Sequence, residues 1–168
     1  VRMRTSSAPS SRRTAASSTA LPRASGSPTH WVKMLAPRHR IALWLYGDFV
    51  VAGVAPYFDL PSTGNDNYGR AGRGYVEGRF RGERLVYGEM EYRGTLTANG
   101  LLGMVAFLNL TTVSDQEAGQ PLFHDVAPGA GVGLRVQMNK RARTNICIDV
   151  GVGRQGSKGL YLGLQEVF

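Results

Sequence analysis

Polar and apolar positions alternate with a period of two over roughly the last 70 residues, the pattern of strands with two unlike faces. In LVYGEMEYRGTLT (85–97), Glu89, Glu91 and Arg93 fall on one face, and Val86, Met90 and Tyr92 on the other. In LLGMVAFLNLTTV (101–113), Leu102, Met104, Ala106, Leu108 and Leu110 oppose Gly103, Phe107 and Asn109. In GVGLRVQMN (131–139), Val132, Leu134, Val136 and Met138 oppose Arg135, Gln137 and Asn139. In NICIDVGVG (145–153), Ile146, Ile148, Val150 and Val152 oppose Cys147 and Asp149. A last segment, LYLGLQEVF (160–168), ends on Phe168. Upstream, HRIALWLYGDFVVAGV (39–54) sets Ile41, Leu43 and Leu45 against Trp44 and Tyr46 and reads as a long strand. Asn99-Gly100, between two of these runs, is a strong hairpin signal because both residues tolerate positive φ.

A soluble antiparallel sandwich also alternates. Two details favour a membrane barrel. The polar faces are small, glycine-rich and carry isolated charges, while the apolar faces are continuous. The connections also alternate between short (97–101, 139–144) and long (55–84, 114–128), as the turns and outer loops of transmembrane barrels do. The expected fold is therefore all-β, an antiparallel meander forming the C-terminal six strands of a transmembrane β-barrel. Six strands do not obviously close, and an open edge cannot face lipid. The chain is thus expected to be a fragment or to need partners.

Composition narrows this picture. Apolar and charged contents, 42% and 19%, are ordinary. The net charge of +8 is uneven: eight Lys/Arg and no acid precede Asp48, and from Asp48 onward there are twelve of each. The basic balance therefore belongs to the leader, and a nucleic-acid reading from charge loses its force. Residues 1–37 are expected to be a disordered or mis-called leader; the Arg- and Ser-rich, acid-free composition also fits an organellar transit peptide. Residues 38–168 form the barrel part, with loop 55–84 expected to fold inward. Cys147 is the sole cysteine and the three histidines lack ligand spacing, so no metal site and no disulfide are expected.

Gly72-Arg73-Gly74-Tyr75, followed by Glu77-Gly78-Arg79-Phe80-Arg81, resembles the arginine-glycine-aromatic motif of the Omp85 superfamily, the bacterial surface antigen group that includes BamA and TamA. Glu91-Tyr92-Arg93, Phe107-Leu108-Asn109 and Gly131-Val132-Gly133-Leu134-Arg135 resemble the family's following strands in the right order. The terminal phenylalanine also agrees, and the resemblance covers roughly residues 38–168. It implies a barrel of about sixteen strands when intact, with the motif in a long extracellular loop that folds back into the lumen. It implies assembly, insertion or translocation of proteins at the outer membrane of a Gram-negative bacterium, or less readily of an organelle. The implied partners are outer-membrane lipid, client outer-membrane or secreted proteins, and accessory assembly subunits. Periplasmic POTRA domains, usual in the family, are not among these residues.

The physics of the motif stands beside the resemblance. Glycines on both sides of Arg73 let the backbone approach a wall closely. An arginine inside a lumen needs acceptors, because burying it alone is costly. Glu91 is the expected partner, with Asn109 second where the family carries an aspartate; together they would pin the loop. Leu160, Leu162, Leu164 and Phe168 resemble the C-terminal signal read by insertion machinery, with Glu166 interrupting it and Tyr161 one residue out of phase.

No catalytic residue, cofactor or nucleic-acid partner is expected. Gly69–Gly74 and Gly129–Gly133 look like phosphate loops, but neither lies in a βαβ unit. The alternatives are a passive outer-membrane barrel or surface antigen, a soluble β-sandwich binding module, and a basic nucleic-acid binder using Arg70, Arg73, Arg79, Arg81 and Arg84 with Tyr68, Tyr75 and Phe80.

Overall fold

A computed structural model describes residues 23–26, 29–66, 69–115, 119–139 and 144–164. It is all-β apart from two single-turn 3₁₀ segments, Tyr57–Asp59 and Arg154–Gly156. The strands are β1 (Arg23–Ser25), β2 (Thr29–Ala36), β3 (His39–Val50), β4 (Arg84–Thr95), β5 (Leu102–Ser114), β6 (Val126–Asn139), β7 (Thr144–Gly153) and β8 (Lys158–Gly163). They form one antiparallel meander that does not close: β3 to β8 follow one another in order, and β1 and β2 pair end to end along the other edge of β3.

The sheet begins earlier than the alternation from residue 38 suggests, and it has eight strands rather than six. β1 and β2 fall inside the segment expected to be leader; the expectation for residues 1–22 lies outside the described residues. Residues 29–36 (THWVKMLA) escape a periodicity reading because apolar side chains occupy both faces, and every one of the eight is exposed. The β2–β3 turn places Arg38 at φ 73°. At the β4–β5 connection, Gly100 alone of the Asn99-Gly100 pair takes positive φ (74°). The turn is thus a wider one than the two-residue hairpin expected, closed by Gly100 N–H donating to Thr97 O (3.0 Å) and Leu96 N–H to Leu102 O (2.9 Å).

The register from β3 to β8, shifted between Gln137 and Asn139 at the end of β6, gives the sheet two faces of opposite character. One face is buried, and charged or polar groups interrupt its aromatics: Trp44, Tyr46, Asp48, Tyr87, Glu89, Glu91, Arg93, Phe107, Asn109, Arg135 and Asp149. The other face is apolar and exposed, with Leu43, Leu45, Met90, Leu108, Leu110, Val132, Leu134, Val150, Leu160 and Leu162. Leaving this many apolar side chains in water is unfavourable, each forfeiting about 1.5–3 kcal/mol of burial. Packing water-avoiding groups outward and charges inward is the reverse of a soluble domain.

The connections 37–38, 96–101 and 140–143 join strands at one end of the sheet, and 51–83, 115–125 and 154–157 at the other. The long connection 51–83, one residue shorter at its end than the expected loop because Arg84 opens β4, folds back against the buried face. Its Ala71 joins Trp44, Tyr46, Leu85 and Tyr87 in the hydrophobic cluster.

Candidate functional site

The loop is built to deliver one side chain. Asp66 Oδ1 accepts from the backbone N–H groups of Arg70 (3.0 Å) and Ala71 (2.8 Å), organising the turn before the motif. Thr63 N–H donates to Phe80 O (3.0 Å) and Gly78 N–H to Thr63 O (2.8 Å), tying the loop's two limbs. Gly72 and Gly74, at φ 91° and 103°, flank Arg73 in the left-handed region where a side chain is strained. A Cβ on Gly74 would also lie 2.7 Å from Val152 O on β7, so the loop touches the sheet backbone there.

Arg73 is 2% exposed and every edge of its guanidinium is engaged. Nε donates to Glu89 Oε2 (2.9 Å) and Nη2 to Glu89 Oε1, a bidentate pair. Nη2 also donates to Glu91 Oε2 (2.5 Å), and Nη1 to Asp149 Oδ2 (2.8 Å). Its flat face lies over the Phe107 ring, with Cζ 3.8 Å from the centroid. The acceptors are themselves held. Tyr87 Oη donates to Glu89 (2.5 Å), Arg93 Nε to Glu91 (2.5 Å), and Arg70 (2.6 Å) and Arg135 both to Asp149. Burial works against the charge on Arg73, but Glu89 and Glu91 outweigh it and hold its pKa well above the ordinary value. It is a permanent cation at a buried site.

Six glycines line the inner side of the last three strands, and three of them, Gly129, Gly151 and Gly153, admit the loop. Gly129, Gly131, Gly133, Gly151, Gly153 and Gly159 all point to the buried face of β6, β7 and β8. A Cβ on Gly151 would stand 2.7 Å from Gly74 N, and one on Gly129 2.7 Å from Arg73 O; on Gly153 it would strike the Tyr75 ring. The Gly129–Gly133 run that looks like a phosphate loop is thus a strand whose inward positions are left empty for the Arg73 carbonyl at Gly129, the Phe107 ring at Gly131 and the Asp149 carboxylate at Gly133. Two tyrosines lock the motif to it. Tyr75 Oη donates to Pro128 O (2.5 Å) and accepts from Arg154 N–H (2.9 Å). Tyr161 Oη accepts from Gly74 N–H (2.9 Å) and donates to Tyr75 O (2.7 Å).

The expected residues are therefore placed as follows. Gly72, Arg73, Gly74 and Tyr75 sit against the sheet, and Glu91 meets the guanidinium. Asn109 does not: its Nδ2 donates instead to the backbone carbonyl of Arg73 (2.8 Å), while Phe107, two residues earlier on β5, lies against the guanidinium. Leu160, Leu162 and Leu164 are exposed on the outward side, while Phe168 and Glu166 lie outside the described residues. Tyr161, read as out of phase with those leucines, is in phase with the buried face. Glu89, Asp149, Phe107 and Tyr161 are additions to the expected set. Their common signal is an acidic or aromatic residue at an inward position of a strand. Among the described residues no group of His, Cys, Asp and Glu could hold a metal ion, and Cys147 is buried.

Comparison with protein-family models and with curated proteins returned no match to this chain. The arrangement has no nucleophile–base pair. It is a fixed electrostatic clamp that fastens a long loop across five strands.

Proposed function

We propose that this chain forms the C-terminal part of an outer-membrane β-barrel of the BamA/TamA type, which assembles, inserts or translocates client proteins. The observation that carries the reading is Arg73, delivered by an inward-folded loop and clamped by Glu89, Glu91 and Asp149. The motif and its place before the strands resemble the Omp85 superfamily, and the clamp gives that resemblance a physical function: it fixes the loop against the buried face of the sheet. The outward apolar face suits lipid, and β3 to β7, at 10–14 residues, reach the about 9–11 a membrane strand needs. Among the described residues no helix is long and apolar enough to cross a membrane, which has no bearing on strands. In this reading lipid covers the outward face, and the open sheet edge can add a client strand by backbone pairing. Clients and accessory subunits are the protein partners.

The test is insertion of a client β-barrel protein into liposomes bearing the full-length gene product. Arg73→Lys keeps the charge but loses the fork that grips Glu89. It is expected to slow insertion about tenfold, the equivalent of one charge-assisted hydrogen bond, with strand content unchanged. Arg79→Lys, whose guanidinium is exposed and bonded to Gln155, is the control and should insert normally. Ion conductance by the wild type without any client insertion would instead identify a passive barrel.

A further inference from the structure

The exposed apolar face of the sheet is not flat. Met90 on β4 and Leu108 on β5 lie opposite one another and stand exposed as a ridge across its middle. On one side of the ridge is a groove of about 630 Å³, lined by Ile41, Tyr92, Ala106, Ala130 and Val132. On the other is a groove of about 550 Å³, lined by Leu43, Leu45, Gly88 and Leu110. Both volumes fall in the range of about 300–1,000 Å³ typical of ligand sites. Small residues make the hollows: the register sets Ala106 between Tyr92 and Val132, Ala130 beside Leu108, and Gly88 between Leu45 and Leu110.

Each groove crosses the strands. The first runs from Ile41 on β3 to Val150 and Val152 on β7, and the second from Leu43 on β3 to Pro128 on β6. At about 4.8 Å per strand interval these paths are about 19 Å and about 14 Å long. One leaflet of a bilayer holds about 15 Å of hydrocarbon, so each path suits one acyl chain.

Polar groups gather at the β3 end of both grooves. Lys33 on β2 pairs with Ile41, and Trp31 with Leu43, so both stand on this face beside the groove mouths, and both are exposed. The Tyr92 hydroxyl is hydrogen-bonded to His39 Nδ1 (2.6 Å), and the two rings stack. Whichever of the pair donates, a donor remains: Tyr92 O–H if His39 gives its proton, His39 Nε2–H if Tyr92 does. The acids of the described strands, Asp48, Glu89, Glu91 and Asp149, all lie on the buried face, so the charge at this rim is positive.

We propose that this surface seats one anionic diacyl phospholipid, its chains straddling the Met90–Leu108 ridge and its phosphate beside Lys33 and the His39–Tyr92 pair. Two grooves parted by one ridge fit two chains joined at a glycerol; a single-chain lipid fills one groove only. Lysine beside an apolar surface lays its stem along it and lifts its ammonium to the headgroups, and tryptophan and tyrosine favour the same level. The inference rests on the outward face meeting lipid, and adds which lipid is held and where.

The test reconstitutes the full chain in phosphatidylcholine vesicles and reads quenching of Trp31 by phospholipids brominated near the glycerol. Trp44, the only other tryptophan, is buried on the opposite face and adds a constant background. Half-maximal quenching is expected at an about fivefold lower mole fraction of brominated phosphatidylglycerol than of brominated phosphatidylcholine, the effect of one lysine near a headgroup. Lys33→Gln should abolish that preference. Lys158, exposed on β8 and paired with Val152 at the far end of the first groove, is the control, and Lys158→Gln should keep it. Ala130→Leu narrows the first groove and should bring phosphatidylglycerol down to the affinity of single-chain lysophosphatidylglycerol. Circular dichroism should show unchanged strand content in all three variants. Equal quenching by both lipids overturns the site while leaving the face in lipid, whereas no quenching by either overturns the membrane reading and the site with it. Wild-type behaviour of Lys33→Gln or Ala130→Leu, or loss of the preference in Lys158→Gln, also overturns the site.

Discussion

At the scale of single residues, burial decides which contacts matter. Asn109 is the sharpest case. Its amide donates to the Arg73 carbonyl, so the position needs a donor. Asn109→Asp removes that donor and sets two oxygens against each other in a buried site. The variant is expected to lose about 1–3 kcal/mol despite restoring the residue type of the resembled family, read as a lower urea midpoint at neutral pH. A gain in stability would show that the aspartate reaches the guanidinium and that the observed partner is wrong. Much of the site was legible at this scale. Glu91 lies on the polar face of a clear alternating strand, and Arg73 stands between two glycines. Glu89 lies on that same face one repeat earlier; only the pairing of its side chain was hidden, since two carboxylates on one arginine are set by loop geometry. Asp149 is 76 residues from Arg73, and no local pattern connects them.

At the scale of elements, the glycines of β6 and β7 decide whether the loop can dock. Period-two alternation exposed the strands and their faces, including the outward sets of β4 to β7. It could not say why Gly129, Gly131, Gly133, Gly151 and Gly153 occupy inward positions, because an absent side chain gains meaning only from what lies against it. Likewise β2, an edge strand with apolar residues on both sides, offers no periodicity to read. Gly151→Ala puts a methyl group 2.7 Å from Gly74 N and 2.9 Å from Gly74 Cα, where only backbone could yield. The loop is expected to lift while the sheet persists, since β6–β7 pairing does not require it. Limited trypsin digestion measures this: cleavage after Arg70 and Arg73 should accelerate about tenfold or more, an opening shift of about 1.4 kcal/mol. Circular dichroism should stay strand-like. Unchanged protection of both arginines would mean that the wall has room the contacts deny.

At the scale of the whole molecule, the two faces assign the solvent. Leu108 sits midway along β5 on the exposed face, between Leu110 and Ala106. If lipid covers that face, Leu108→Arg should cost about 2–4 kcal/mol at the bilayer midplane, measured by urea unfolding from lipid vesicles. A soluble sandwich lacking lipid would tolerate the change and become more soluble, so this one substitution separates the two architectures. The clamp also has a temporal consequence. Arg73, Gly74 and Tyr75 take their partners from β4, β5, β6, β7 and β8, at separations of 16 to 87 residues. Contacts so distant along the chain form late, after the entropy of closing long loops has been met. Tyr161 on β8 supplies the last of them. The loop can therefore seat fully only once the final described strand has been added, and its burial marks the completion of this part of the sheet.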